Sequence, residues 1–418
     1  MAGIHQARRH VVQTPAARGF HPWLAASTAS VFGDSVTFFA IGWAAAGFGA
    51  DAAGLVLTIE GIPLAVLVLT GGVLADRIGI RRTMAVCDAA MVLVMAAFAL
   101  GALGALGGAP LWMLIVVGAL SGTIQALRRP AEGVFPRLFG PGDLDRRMAL
   151  VGSAHQIART AGPAAGGFLI GQGGLPLTAG LDAATFSLVL VALLVIRPPH
   201  EPAPEPDQGS VWRSLADGAR AAMRTPGVVP VLVPITGLAA TVLPLVMLAL
   251  PVAGRERGWS AAETGVVSGA WVAGGLVVTL AVARWGAPRA RVAVAGPALA
   301  ACGVLLLAVR PEVGAGVVAI GIVGVGTTML TSYLFPTYVA LTPPEMLARF
   351  SSLTQLAQAG PVLVATPLLG VAAGVDVRLA LGVIAVLLLA TVPAAARVAR
   401  LPRPPASERQ RVTDTVSP

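Results

Sequence analysis

Four charged residues stand inside long apolar runs: Asp34, Glu60, Arg159 and Asp182. A charge in hydrocarbon is costly, so one that persists there points to a pathway for ions, protons or solute. Asp34 and Arg159 have opposite signs, and each falls about 12 residues into its run, or roughly 18 Å along a helix. Matching depth lets the two meet, directly or through water. A carboxylate so placed releases its guanidinium when it takes a proton, which makes a proton-linked switch; the same spacing also fits a permanent structural ion pair. Glu60 and Asp182 are single carboxylates able to bind a cation, carry a proton or cap a neighbouring backbone. These four residues are the candidates for proton coupling and for the substrate cavity. Asp88 sits close to a charge-rich connection and is expected to join its network.

The elements that must position them follow from composition. Of 418 residues, 56% are hydrophobic and 12% charged, and the mean hydropathy is +0.80. Apolar segments of at least about 18 residues recur, each long enough to cross a bilayer as a helix. Backbone in lipid must satisfy its own hydrogen bonds, and the runs show no strand-like alternation, so helices are expected. Twelve spans are predicted: 22–47, 52–75, 83–107, 109–128, 147–172, 175–197, 228–252, 261–284, 290–310, 313–340, 346–373 and 376–397. The predicted fold is an all-α integral membrane protein of twelve transmembrane helices. Its parts are a tail (1–21), a six-helix bundle (22–197), a linker (198–227), a second six-helix bundle (228–397) and a tail (398–418). The linker begins Pro-rich and acidic; then Trp212, Leu215, Ala219 and Met223 are spaced like one face of a short amphipathic helix at the membrane surface.

The net charge is +9, and all 29 basic residues are arginine. They lie between apolar runs and form no basic face interleaved with aromatics, so nucleic acid is not an expected partner. With the amino terminus inside, 24 arginines fall on inner segments and 4 on outer ones, with Arg159 within a span. That imbalance places both termini in the cytoplasm. Lysine is absent, and the Ala, Gly, Val and Arg content suits a GC-rich bacterial genome. Residues 1–21 have no apolar core and are not expected to be a signal peptide. Cys87 and Cys302 make neither a metal set nor a disulfide framework. No P-loop, H-E-x-x-H or histidine cluster occurs, so neither enzyme chemistry, nor ATP hydrolysis, nor a metal or organic cofactor is expected.

Between spans two and three the sequence reads GGVLADRIGIRR (71–82). Arginine there serves topology, but Asp76 does not follow from topology. Span five contains AGPAAGG (161–167), echoed by AGPVLVA (359–365) in span eleven; the loop is echoed by AVARWGAPRAR (281–291). Both pairs are about 200 residues apart, half the chain. Such a six-plus-six repeat is the layout of a transporter alternating access around a central site.

The loop residues Gly72, Asp76, Arg77, Gly79, Arg81 and Arg82 resemble the signature between helices two and three of the major facilitator superfamily. Gly162, Pro163, Gly166 and Gly167 resemble the motif of its antiporter branch. FGDSVTFFAIGW (32–43), ALRRPAEGVFPRLF (126–139) and DLDRRMALVGSAHQIARTAGP (143–163) resemble drug and siderophore exporters of the macrolide-efflux and enterobactin-exporter type. The resemblance implies the major facilitator fold and secondary transport powered by a proton gradient. It also implies a loop that latches the halves on the inner side, and a bendable helix five whose small residues allow close approach. Two departures stand out. Ala283 occupies the place of Asp76 in the second copy. Helix four of many drug–proton antiporters carries an arginine, but residues 111–125 have none, so its role is not carried over.

The second half has no charge deep in a span. Its polar content is Thr327, Thr328, Thr331, Ser332, Tyr333, Tyr338, Gln355 and Gln358, with Trp271. A cavity with one charged and one apolar or aromatic wall suits an amphipathic solute. The sequence therefore predicts a monomeric transporter, in a bacterial cell membrane, that exports such a solute against protons. Import of a small metabolite and a non-transporting sensor are the alternatives.

Overall fold

The structure, a computed structural model, describes residues 19–104, 108–140, 143–198, 220, 223–225, 227–286, 288–341 and 347–400. The two tails and the linker helix residues Trp212, Leu215 and Ala219 lie outside the described residues; Met223 is helical and exposed.

Twelve long helices are present among the described residues. They are α1 (Phe20–Ala45), α2 (Ala50–Ile78), α3 (Ile80–Gly104) and α4 (Leu111–Val134). One helical stretch, Leu144–Val195, is broken at Gly174, whose φ of 64° and ψ of −161° lie outside helical geometry. Only glycine takes such a conformation without strain, and we call its two parts α5 (144–173) and α6 (175–195). Then follow α7 (Val228–Pro244, running on through a π turn to Glu256), α8 (Ala261–Trp285) and α9 (Ala290–Val309). Last are α10 (Val313–Leu341), α11 (Leu347–Val375) and α12 (Val377–Ala399). Among the described residues ten stretches, the α5–α6 pair counted as one and α2 not included, are long and apolar enough to cross a membrane.

These helices form because their apolar side chains suit both a packed interior and lipid. Inward-facing residues such as Val36, Phe186 and Leu330 are fully buried, whereas Leu93, Val195 and Val375 are left largely exposed. Polar ends are finished locally. Ser260 and Glu263 form a capping box at the start of α8, with Ser260 N–H donating to Glu263 Oε2 at 2.7 Å, which satisfies two otherwise orphaned donors.

Packing repeats between halves. In the first, α1 packs on α5 and α6, α2 on α4, and α3 on α4 and α6; in the second, α7 packs on α11 and α12, α8 on α10, and α9 on α10 and α12. The halves then meet through two equivalent seams, α5 against α8 and α2 against α11. Gly167 backs onto Gly265 so closely that a Cβ would strike backbone, and Gly54 lies against Gly370 with room for a Cβ only at a tight 3.1 Å from the facing Cα. Arg255 strengthens this end: its Nε donates to the Trp43 carbonyl at 2.8 Å, and its guanidinium sits 4.4 Å from the Trp43 ring centre. All these contacts lie at the end remote from Phe20 and Ala399.

Three expectations are revised. The GGVLADRIGIRR stretch is not a loop: α2 runs through Gly72, Asp76 and Arg77 to Ile78, and α3 starts at Ile80. Gly79 alone connects them, with φ +94°. Second, α4 extends past the predicted boundary at 128 to Val134 and carries Arg128 inside the bundle. Third, Asp88 joins that arginine and not the α2–α3 connection.

Candidate functional site: a charged cluster within α1–α6

Arg128 organises the site. Its side chain is 2% exposed, and Nε meets Asp88 Oδ1 of α3 at 2.5 Å while Nη1 meets Glu132 Oε2 at 2.8 Å. Arg128 and Glu132 are four residues apart, so α4 sets them on one face, and the ring of Phe186 from α6 lies 5.5 Å from the guanidinium carbon. An isolated arginine here would be prohibitive; two carboxylates and an aromatic face make it tolerable.

The network continues toward α1 and α5. Ser27 Oγ donates to Glu132 Oε1 at 2.8 Å, and His155 Nε2 lies 2.9 Å from the same hydroxyl. Ser27 is fully buried, and His155 is 9% exposed. Asp88, Arg128, Glu132, Ser27 and His155 thus form one continuous polar chain across four helices.

Beside this chain lies a cavity lined by Ser30, Val31, Asp34, Gln125, Arg128, Arg129, Glu132 and Arg159. Asp34 and Arg159 therefore face a common space. No ion pair within 4.0 Å joins them, and among the described residues neither side chain makes a hydrogen bond, nor does that of Arg129. The hydroxyl of Ser30 and Nη2 of Arg128 are buried in the same lining without partners. The cavity sits on the Phe20 side of the inter-half seams. A space of water size walled by uncommitted charges and donors can accept a proton or a water.

Glu60 approaches from α2, within electrostatic reach of Asp34 and Arg129. Its backbone crosses α4 at Gly122, where any side chain would collide with the Glu60 carbonyl; its Oε2 is buried and unpartnered. Asp182 is placed differently. It is fully buried between α6 and α1, with Thr185 Oγ1 at 3.5 Å and Gly33 beside it, and it does not line the cavity.

The remaining candidates lie outside this cluster. Arg81 Nε and Nη2 donate to the carbonyls of Leu193 and Leu194 at 2.6 and 3.1 Å, closing the end of α6 within the same half. Arg77 and Arg82 are exposed; the side chain of Asp76 lies outside those described. On α5, Gly162 packs against Ser35 and Gly166 against Val36 and Phe39 of α1, while Gly167 faces α8. Pro163 remains within the helix. The motif is a two-sided contact surface.

Sequence reasoning missed Ser27, Arg128, Arg129, Glu132 and His155. Arg128-Arg129-Pro130 looks like a helix end followed by topology charges. The i,i+4 spacing of Arg128 and Glu132, with an acid in the preceding span, is the signal that could have found them. Arg147 also belongs to the inner arginines by sequence, yet it is buried and donates to Phe139 O at 2.9 Å and to Gly140 O.

Two six-helix halves pack with the same pairing of helices, and the polar cavity lies within the first of them. Residues 23–366 match the Major Facilitator Superfamily, and the chain belongs to that family. It is a secondary transporter of that kind. A bacterial homologue of the iron transporter ferroportin in an inward-facing state is similar in structure, with a TM-score of 0.70 at 17% identity, covering 92% of this chain and 99% of that one. The nucleoside transporter NupG has a TM-score of 0.68 at 12% identity, covering 92% and 100%. A bacterial homologue of the human lysosomal transporter Spinster, inward-facing and unoccupied, has 0.67 at 13%, covering 92% and 97%. These likenesses are of fold. No curated protein matches the sequence.

Proposed function

We propose that this chain is a proton-coupled exporter, an antiporter of an amphipathic small molecule such as a drug, antibiotic or siderophore. It works as a monomer in a bacterial cell membrane with both termini cytoplasmic. The observation that carries this reading is the cavity shared by Asp34 and Arg159, in which neither charge is committed to a partner. Protonation of Asp34 changes the field at Arg129 and Arg159 and so changes what the cavity holds. The facing half contributes no charge from the interior of its described spans, which suits a solute with a large apolar part. The arginine imbalance supports cytoplasmic termini. In that orientation the seams lie at the outer end and the cavity on the cytoplasmic side of them. The resemblance of Gly162, Pro163, Gly166 and Gly167 to the antiporter motif supports exchange.

The test is transport by the purified protein in liposomes under an imposed pH gradient, with a macrolide antibiotic and a catecholate siderophore as probes. Gradient-driven movement of either against protons is expected, and Asp34→Asn abolishes it while the protein still inserts. Transport of nucleosides or dipeptides with none of the lipophilic probes would overturn the solute class. Wild-type rates in Asp34→Asn would remove that residue from coupling.

A further inference from the structure

The bonds around Ser27 fix their own direction. A serine hydroxyl has one hydrogen, and it goes to Glu132 Oε1, an oxygen of a carboxylate already paired with Arg128. Ser27 Oγ can then only accept from His155, so Nε2 carries the ring proton of neutral His155. His155 Nδ1 makes no hydrogen bond to any described residue, and the residue keeps 9% exposure. The ring therefore presents a bare acceptor on one side and a committed donor on the other.

We propose that His155, Ser27 and Glu132 form a second proton site, which carries a proton from water to the Glu132 carboxylate. Its atoms balance. A proton from hydronium adds to His155 Nδ1; Nε2 gives its proton to Ser27 Oγ; Ser27 passes its original hydrogen to Glu132 Oε1. His155 ends as the Nδ1–H tautomer, Ser27 is unchanged, and Glu132 is a neutral acid. The consequence is local and electrostatic. Neutral Glu132 no longer balances Arg128, whose remaining strong partner is Asp88. Both Arg128 and Glu132 line the cavity that Asp34 and Arg159 line, so one positive charge is uncovered at its wall. The charged groups that act on His155 are Glu132 and Arg128 from α4 and Arg159 from α5; those that act on Glu132 are Arg128 on its own helix and His155 and Arg159 from α5, with the Ser27 hydroxyl from α1. Asp88 of α3 and Arg129 of α4 complete the set.

This inference rests on the proton-coupled reading, yet its test needs no transported solute. Full-length protein in lipid nanodiscs is stepped from alkaline pH to acid at or below the ordinary carboxylate range, since Glu132 is ion-paired with Arg128, and followed by time-resolved infrared spectroscopy, the proton being the probe. A protonated-carboxyl band should rise that is missing in Glu132→Gln. Its rise should slow by about tenfold or more in Ser27→Ala and His155→Asn, and recover in Ser27→Thr, as expected when an intervening proton carrier is removed and restored. Nitrogen-15 NMR of histidine-labelled protein, with the resonance assigned by its loss in His155→Asn, should show the Nε2–H tautomer at alkaline pH. A band that persists in Glu132→Gln, equal rates in Ser27→Ala and wild type, or an Nδ1–H tautomer at alkaline pH overturns the relay. Loss of gradient-driven transport with these spectra intact would instead count against the transport reading alone.

Discussion

Ser27 and Ser268 are both buried serines on transmembrane helices, one in each half, and their hydroxyls serve different ends. Ser268 Oγ donates to Thr264 O, four residues back on its own helix, at 2.9 Å. Ser27 joins α1 to Glu132 of α4 and His155 of α5. The contrast extends to the halves. Both use the same pairing of helices, but α1–α6 bury Asp88, Arg128, Glu132 and Asp182, while the buried polar groups of α7–α12 are, among the described residues, hydroxyls. A hydroxyl can satisfy itself on the preceding turn of its own helix. A buried charge cannot, and must recruit neighbours from other helices. The first half is thus tied together by buried charges across helices, and the second by neutral contacts: Trp271 Nε1 of α8 donates to Thr327 Oγ1 of α10 at 3.2 Å, and Gly296 and Gly326 bring α9 and α10 into backbone contact.

Substitutions at matched places sharpen that contrast. Arg128→Met should have the largest effect, because it strands Asp88 and Glu132 as buried carboxylates; a loss of about 3–5 kcal/mol is expected, read as a fall in the thermal midpoint of detergent-solubilised protein. Ser27→Ala should cost about 1–3 kcal/mol by leaving partners of its hydroxyl unsatisfied, measured in the same melt. Arg255→Ala removes a bond and a ring contact between the halves, and should shift the conformational balance by about 1 kcal/mol, or roughly fivefold. Alkylation of Ala164→Cys, in a background lacking Cys87 and Cys302, should accelerate by that factor as the seam at Gly265 and Gly269 opens more often. Ser268→Ala should change the midpoint least, by about 0.5 kcal/mol or less, since its carbonyl partner keeps its helical bond. Equal losses for the two serine variants would erase the distinction between the halves.

Much of this architecture is written in hydropathy. Apolar runs of bilayer length locate the helices, and Asp34 and Arg159, isolated in such runs, do line one cavity. What hydropathy does not carry is depth at the edges. Arg128 and Arg129 stand where an apolar run fades, and composition alone cannot separate a charge leaving the membrane from one folded back into a bundle. The partners that settle it are remote: Ser27 lies 105 residues from Glu132 and 128 from His155. A lone histidine with no nearby polar partner gives no sequence signal, and only the α1–α4–α5 packing brings those groups together. The charged α2–α3 connection misleads for a different reason. Three glycines and four charges resemble a turn, but a helix end tolerates both, and one residue of positive φ suffices to redirect the chain.

That single residue has a mechanical meaning. Between α2 and α3 there is no slack: Gly79 is the whole joint. At its far end α2 bears on α11, where Gly54 meets Gly370. If the seam parts and α2 moves, a one-residue joint hands part of that motion to α3. Asp88 sits eight residues beyond α3's first residue, Ile80, gripping Arg128. A contact between the halves is therefore linked through one joint to an ion pair inside the first, and pulling on one end of the linkage loads the other.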